Sequence, residues 1–301
     1  MAYWKNYHTP ATVEEALNLL NQYQGQARVV GGGTDLILEM QQAHRPPVEA
    51  LIDATQISGL NRIVEEDGYL VIGAGVTHTQ IVSDERLARR GTCLVESCGV
   101  IGGPQVRNVG TLAGNVAHAL PAGDGTISLL ALGGDVEIAT NDGASWLPMA
   151  ETFIGPGQSK IDSTRALLTR LRFRPTSPNE ASAFRRVMRP QGVALPMIGM
   201  AARLWVENGL VTAARVSIGP AGPTPFLAEK TMAFLTGQPA TAETFAQAAE
   251  VALAEVKLRT SRHRATAEYR AEMIRGQLPK TLAKAAQRAV TGQAIPEGMG
   301  M

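Results

Sequence analysis

Two strand-like runs in this chain pass directly into glycine clusters, and a third, longer cluster follows; no other feature constrains the fold as much. Arg28-Val29-Val30 is a short apolar run that reads as a buried strand, and it continues into Gly31-Gly32-Gly33-Thr34-Asp35-Leu36. Tyr69 to Ile72 reads as a second strand and enters Gly73-Ala74-Gly75-Val76-Thr77-His78. The longest cluster runs from Ile101 to Asn115, IGGPQVRNVGTLAGN. Consecutive glycines after a strand leave backbone N–H groups without ladder partners, and the missing Cβ atoms let a ligand approach the main chain. Such a nest attracts oxyanions, and each hydrogen bond to a charged oxygen contributes about 1.5–3 kcal/mol. A single cluster reads first as a turn. Two nests, over residues 31–35 and 110–115, read together as a clamp on the pyrophosphate of a dinucleotide.

Familiar nucleotide motifs do not fit. Gly73-Ala74-Gly75 begins like a Rossmann fingerprint, but His78 stands at the third glycine position, which leaves a structural turn. Gly155-Pro156-Gly157-Gln158-Ser159-Lys160 lacks the Gly-Lys-Ser/Thr ending of a P-loop.

The remaining pattern predicts a mixed architecture. Thr12 and Glu15 form a capping box ahead of Val13, Ala16, Leu17 and Leu20, which recur at helical spacing up to a stop near Gly25. A helix is expected over 79–90 and another from Asp124 to about Leu132, with strands at 135–140 and 166–173. Pro175-Thr176-Ser177-Pro178-Asn179 reads as a domain boundary. Beyond it, Met200 to Val206 and Leu210 to Ile218 are strand-like and joined by Asn208-Gly209, a hairpin signal. Residues 227–291 read as several helices. A length of 301 residues suits two domains.

Composition narrows the function classes. Twenty-eight Lys and Arg against 27 Asp and Glu leave a net charge of +1, so no electrostatic drive toward nucleic acid or anionic membrane is expected. No apolar stretch reaches the roughly 18 residues of a membrane span. Met1 to Pro10 has no basic region followed by an apolar run, so no signal peptide is expected. Two cysteines, Cys93 and Cys98, are too few to ligate an iron–sulfur cluster or build a four-thiolate zinc site; they read as buried thiols in a cytoplasmic protein.

The glycine loops carry a resemblance. Val29-Val30-Gly31-Gly32-Gly33-Thr34-Asp35-Leu36 resembles the first FAD-binding loop of the flavin subunits of molybdenum hydroxylases, the xanthine dehydrogenase family that includes carbon monoxide dehydrogenase medium subunits. Gln105-Val106-Arg107-Asn108-Val109-Gly110-Thr111-Leu112-Ala113-Gly114-Asn115, followed by Pro121 and Asp124, is similar to the second loop. Ala267-Glu268-Tyr269-Arg270 resembles the C-terminal Tyr-Arg signature.

The resemblance implies an α+β fold: a two-piece FAD-binding domain of the PCMH type over 1–175, then a smaller antiparallel-sheet-plus-helices domain over 180–291. It implies that Val30, Gly31, Gly32, Gly33, Thr34, Asp35 and Leu36 hold the FAD pyrophosphate through backbone amides, with Val29 also counted among the cofactor residues. Thr111, Leu112, Ala113, Gly114 and Asn115 close the other side, with side-chain hydrogen bonds from Thr111 and Asn115, and Arg107, Asn108 and Gly110 of the same loop are also counted among the cofactor residues. Ile101 falls beside the flavin, Asp124 near the adenosine end, and Leu168 and Arg185 at further flavin contacts. His78 and His118 read as loop hydrogen-bonders, and His118 is counted among the cofactor residues. Ala113 departs from the family's usual glycine, which strains the turn if φ is positive there. The four-cysteine insertion of one family branch is absent. Arg186 and Arg189 read as solvated surface, as do Arg262, His263 and Arg264.

An electron-transfer role follows from the same resemblance. Electrons pass from a molybdopterin-binding large subunit through [2Fe–2S] clusters of a small subunit to the FAD, then to an external acceptor, in a dimer of heterotrimers. No catalytic acid, base or metal ligand is demanded of this chain. NAD, a quinone, a cytochrome or oxygen stand open as acceptor, and the substrate is not encoded here. Competing readings are a stand-alone FAD-dependent NAD(P)H reductase and a non-redox nucleotide-binding scaffold.

Overall fold

In the computed structural model, which describes residues 2–189, 195–262 and 264–298, the chain begins with a parallel βαβ layer. Strand β1 (Trp4–His8), helix α1 (Val13–Gln22), strand β2 (Ala27–Val30), helix α2 (Leu36–Gln41) and strand β3 (Val48–Asp53) build a parallel sheet in the order β1-β3-β2. Thr12 Oγ1 accepts from the Glu15 amide at 3.1 Å, while the Glu15 carboxylate reaches back to the Ala11 amide at 2.8 Å. Helix α1 buries Ala16, Leu17 and Leu20 and stops at Gln22; Gly25 follows it with φ of 86°.

A five-stranded antiparallel sheet comes next, starting with β4 (Ile63–Glu66) and β5 (Tyr69–Gly73). The helix expected over 79–90 is two helices, α3 (His78–Ser83) and α4 (Glu85–Arg90). Asp84 breaks them because its carboxylate caps the second, accepting from the amides of Arg86 (2.9 Å) and Leu87 (3.1 Å). Helix α5 (Thr92–Gly99) is buried along its whole length. The glycine cluster at 101–115 contains two short helices, α6 (Pro104–Arg107) and α7 (Leu112–Ala117). Helix α8 (Asp124–Ala131) follows, then β6 (Asp135–Thr140), β7 (Gly143–Pro148), the small hairpin β8 (Phe153–Gly155) and β9 (Gln158–Ser159), and β10 (Leu167–Phe173). The sheet order is β4-β5-β10-β6-β7. Leu94, Ile127, Leu129, Leu70, Ile72 and Leu171 share its core with α1.

The last unit is an antiparallel sheet of β11 (Glu180–Val187), β12 (Ile198–Glu207), β13 (Leu210–Gly219) and β14 (Phe226–Leu227), in that order, with helices α9 (Glu229–Leu235), α10 (Ala242–Glu255) and α11 (Ala267–Thr291). Asn208 and Gly209 both take positive φ, 51° and 77°, as a tight hairpin turn requires. Ile274, Leu278 and Leu282 of α11 share one core with Met200, Ala202 and Val216. The architecture is α+β, as the sequence implies.

Buried charges join this unit to the rest. Glu96 on α5 pairs with Arg288 on α11 at 2.5 Å, and its other oxygen accepts from the Phe184 amide at 2.8 Å. Arg288 also donates to the Ser182 carbonyl at 2.9 Å. Arg203 pairs with Glu180 and donates to the Leu132 carbonyl at 2.6 Å. Each of these buried charges has its counter-charge and further hydrogen bonds, the condition under which burial is tolerated.

Candidate functional site

The first glycine loop lies flat against the second. A Cβ on Gly32 would fall on the Val109 carbonyl and 2.8 Å from Gly110 Cα. One on Gly31 would sit 3.2 Å from Thr111 Oγ1, and one on Gly110 3.6 Å from Thr34 Oγ1. Gly33 has φ of 70°, a left-handed conformation that side chains resist. The amides of residues 31–35 and of Ala113 donate to no acceptor among the described residues. A row of unpaired N–H groups between a strand end and a helix start is an anion cradle, and the glycines leave no side chain in its way.

The second loop is built by a cap. Thr111 Oγ1 accepts from the Gly114 amide at 3.0 Å, which starts α7 and puts Leu112, Ala113 and Gly114 into helix. Ala113 does not carry the positive φ that would strain it. Asn115 Oδ1 accepts from the amide and hydroxyl of Thr126, at 3.1 and 3.0 Å, so it holds α8 against α7. A Cβ on Gly125 would meet Asn115 Oδ1 at 3.3 Å and Ile101 Cδ1 at 3.7 Å, which places Ile101, Asn115 and the first turn of α8 together.

Asp124 opens that turn and is buried. Its Oδ2 accepts from Arg186 Nη1 at 2.6 Å, while Oδ1 is buried without a partner. Burial pushes the Asp124 carboxyl up to about 6, against the pull of Arg186. Arg186 is therefore not the solvated residue expected from the sequence: its side chain is 9% exposed, drawn in by the buried carboxylate. Arg189 is exposed.

Val29, Gly31, Thr111, Ala113, Gly114 and Leu168 line one cleft of about 80 Å³, whose walls also include Ala54, Ala74 and Ala117. Those alanines carry no sequence signal, since only packing brings them there. Val30 packs on Met40 and Leu51, with Leu36 beside them, and Leu112 is fully buried; none of these three lines the cleft. Asp35 is exposed at the cap of α2. Arg107 Nη1 donates to the carbonyls of Ile101 (3.3 Å) and Gly102 (3.0 Å), closing its own loop. Asn108 Oδ1 accepts from Thr79 Oγ1 at 2.7 Å. His118 Nε2 lies 3.7 Å from Glu39 Oε1, linking the end of α7 to α2. Arg185 stands apart from the cleft. It lines a separate cavity of about 300 Å³ between α5, β11 and α11, 4.0 Å from the Glu297 carboxylate.

His78 supports the second loop from behind. Its amide donates to the Gly110 carbonyl at 3.0 Å, and its ring Nδ1 lies 3.4 Å from Cys98 Sγ. Burial, with Arg107 adding repulsion, lowers the imidazole to about 4. Burial pushes the Cys93 thiol up to about 12 and the Cys98 thiol in the same direction. Arg262 is exposed, but Arg264 is half-buried rather than solvated, and His263 lies outside the described residues. Among the described residues no group of three His, Cys, Asp or Glu side chains is placed to hold a metal.

A parallel βαβ layer abutting an antiparallel sheet, with an oxyanion cradle at the seam and a sheet-and-helix unit behind, is the layout of a flavoprotein. Residues 3–175 match the family model described as the FAD binding domain in molybdopterin dehydrogenase, and residues 182–290 match the CO dehydrogenase flavoprotein C-terminal domain. The chain belongs to this family, the FAD-binding subunits of oxidoreductases of the xanthine and CO dehydrogenase type. It is 29% identical over 288 residues to the xanthine dehydrogenase FAD-binding subunit of Escherichia coli O157:H7, covering 94% of this chain and 97% of that one. It is likewise 29% identical over 285 residues to the carbon monoxide dehydrogenase medium chain of Afipia carboxidovorans, with coverage of 94% and 97%. The solved carbon monoxide dehydrogenase from Hydrogenophaga pseudoflava has a chain that superimposes with a TM-score of 0.88 at 27% identity, covering 94% of this chain and 97% of that one.

Proposed function

We propose that this chain is the electron-transfer subunit of a molybdenum hydroxylase, holding an FAD that would link the [2Fe–2S] centres of a small partner subunit to an external acceptor. A large molybdopterin-binding subunit completes the enzyme, as a dimer of heterotrimers in the cytoplasm. One observation carries the reading: two glycine loops in contact, with the unpaired amides of residues 31–35 and Ala113 at their seam. When bound, FAD supplies the redox chemistry, and the protein supplies binding, orientation and electrostatics.

Each role then falls to residues already placed. The amides of residues 31–35 and 113 hold the diphosphate, and Thr111 Oγ1, beside Gly31, closes the cradle. Asp124, whose Oδ1 is buried without a partner, would serve the adenosine end of the cofactor. Leu168 and Ile101 supply apolar surface, and the backbone amide of His78, bonded to the Gly110 carbonyl, keeps that loop in register. Residues 1–175 thus hold the cofactor, and residues 180–291 form the second domain, with Arg185 at the junction. The hairpin β12–β13 and the helix carrying Tyr269 and Arg270 favour a subunit of a complex over a stand-alone NAD(P)H reductase.

Two measurements test this. The purified chain is expected to be yellow and to release one FAD per chain on heating; a colourless protein that FAD cannot reconstitute refutes it. Expressed beside its genomic neighbours, the chain is expected to co-purify with a large and a small subunit, and a catalytically complete monomer would count against it.

A further inference from the structure

Arg259, Arg264 and Arg270 gather where the loop after α10 turns into α11, well outside the glycine cradle. Arg270 is the fourth residue of α11 and only 1% exposed. One of its terminal nitrogens donates to the Met197 carbonyl, while its Nε is buried without a partner. Arg264 is half-buried and Arg259 exposed, a stepped arrangement from surface to interior. Both lie close enough to Arg270 that their charges add to burial in lowering its pKa, and Arg259 acts on Arg264 in the same way.

Among the described residues none of the three arginines pairs with a carboxylate. Glu250 and Glu272 are both taken by Arg275, at 2.9 and 2.6 Å, and Glu268 turns to Thr266. The helix end does not supply the missing contact either, because Thr260 Oγ1 accepts from the Ala267 amide (3.1 Å) and Thr266 Oγ1 from the Tyr269 amide (3.2 Å). A buried guanidinium with a vacant donor, facing two further cations, is unfavourable until an anion joins it. One carboxylate does not match three positive charges. A phosphate group does, with three oxygens and up to two charges for the forked donors of arginine.

We infer that Arg259, Arg264 and Arg270 form a binding site for a phosphate group, either inorganic phosphate or the phosphoryl end of a nucleotide. The full chain is first saturated with FAD, so that the glycine cradle is filled. It is then titrated by calorimetry at low ionic strength with inorganic phosphate and, separately, with ADP. Saturable one-to-one binding is expected, with a Kd on the order of 1 mM or tighter. Arg264→Gln and Arg259→Gln, both outside the core, are each expected to weaken it about tenfold or more, the effect of losing one charge-assisted hydrogen bond. Arg275→Gln, on the same helix, leaves it unchanged. ADP binding about tenfold tighter than phosphate, with the same arginine dependence, assigns the site to a nucleotide; equal affinities assign it to free phosphate. The inference is overturned if neither probe saturates, or if both arginine substitutions leave binding intact. It is also overturned if neither probe binds and Arg264→Gln instead releases a partner subunit, because the arginines then serve a protein carboxylate.

Discussion

Replacing Gly32 tests the cradle directly. The backbone there does not have the positive φ of Gly33, so conformational preference is not the obstacle. The obstacle is space: the first carbon of any side chain lands on the Val109 carbonyl, with Gly110 Cα at 2.8 Å. Both neighbours are main chain and have no rotamer to yield, so the loops must separate. Forced overpacking of this kind costs about 1–3 kcal/mol in local stability. The larger effect is on the ligand. If separation breaks two of the amide contacts, at about 1.5–3 kcal/mol each, FAD binding weakens by about 3–6 kcal/mol, or roughly a hundredfold to ten-thousandfold. Gly32→Val is expected to purify without flavin, while β11 to β14 and α9 to α11 stay folded. Gly32→Ala, which adds only the clashing carbon, is expected to lose most of the same affinity. Bound flavin is read from its absorbance and from FAD released on heating; folding is read from circular dichroism and the thermal transition. A folded Gly32→Val that keeps one FAD per chain with unchanged affinity refutes the argument that the two loops jointly hold the diphosphate.

Other perturbations follow from the buried charges. His78, lowered by burial to about 4, stays neutral in the folded chain while an unfolded histidine gains a proton below about 6.5. Its contribution to stability is therefore complete above about pH 6.5 and is lost as pH falls toward 4, by up to about 3 kcal/mol. Urea midpoints across that range should flatten in His78→Gln; an unchanged pH slope would show that the imidazole does not carry the effect. Arg288→Met strands Glu96 in the interior and removes a donor from the Ser182 carbonyl, at an expected cost of about 3–5 kcal/mol. Chemical denaturation should show the loss, and the double variant Glu96→Gln with Arg288→Met should recover much of it. A single variant as stable as the parent would mean that the pair does not join the two units.

Features that depend on a few neighbouring residues could be read from the sequence alone. Thr12 caps its helix because a hydroxyl three residues from an amide suffices, and Asn208-Gly209 turns its hairpin because both residues accept positive φ. The glycine loops, the strands β5, β6 and β10 and the apolar helix α8 have the same local origin. Where two local preferences competed, the reading was coarser. Asp84 both ends α3 and caps α4, which periodicity alone does not register, and Thr111 starts a helix inside what looks like a long glycine connector. Tertiary structure decided what stands across from each residue. It set Gly32 against Val109, drew Arg186 from the surface to Asp124, paired Glu96 with Arg288 and left Arg270 facing two other cations. Those outcomes turn on desolvation, which depends on every atom packed around a charge, and partners separated by tens to hundreds of residues acquire that environment only when the chain closes on itself.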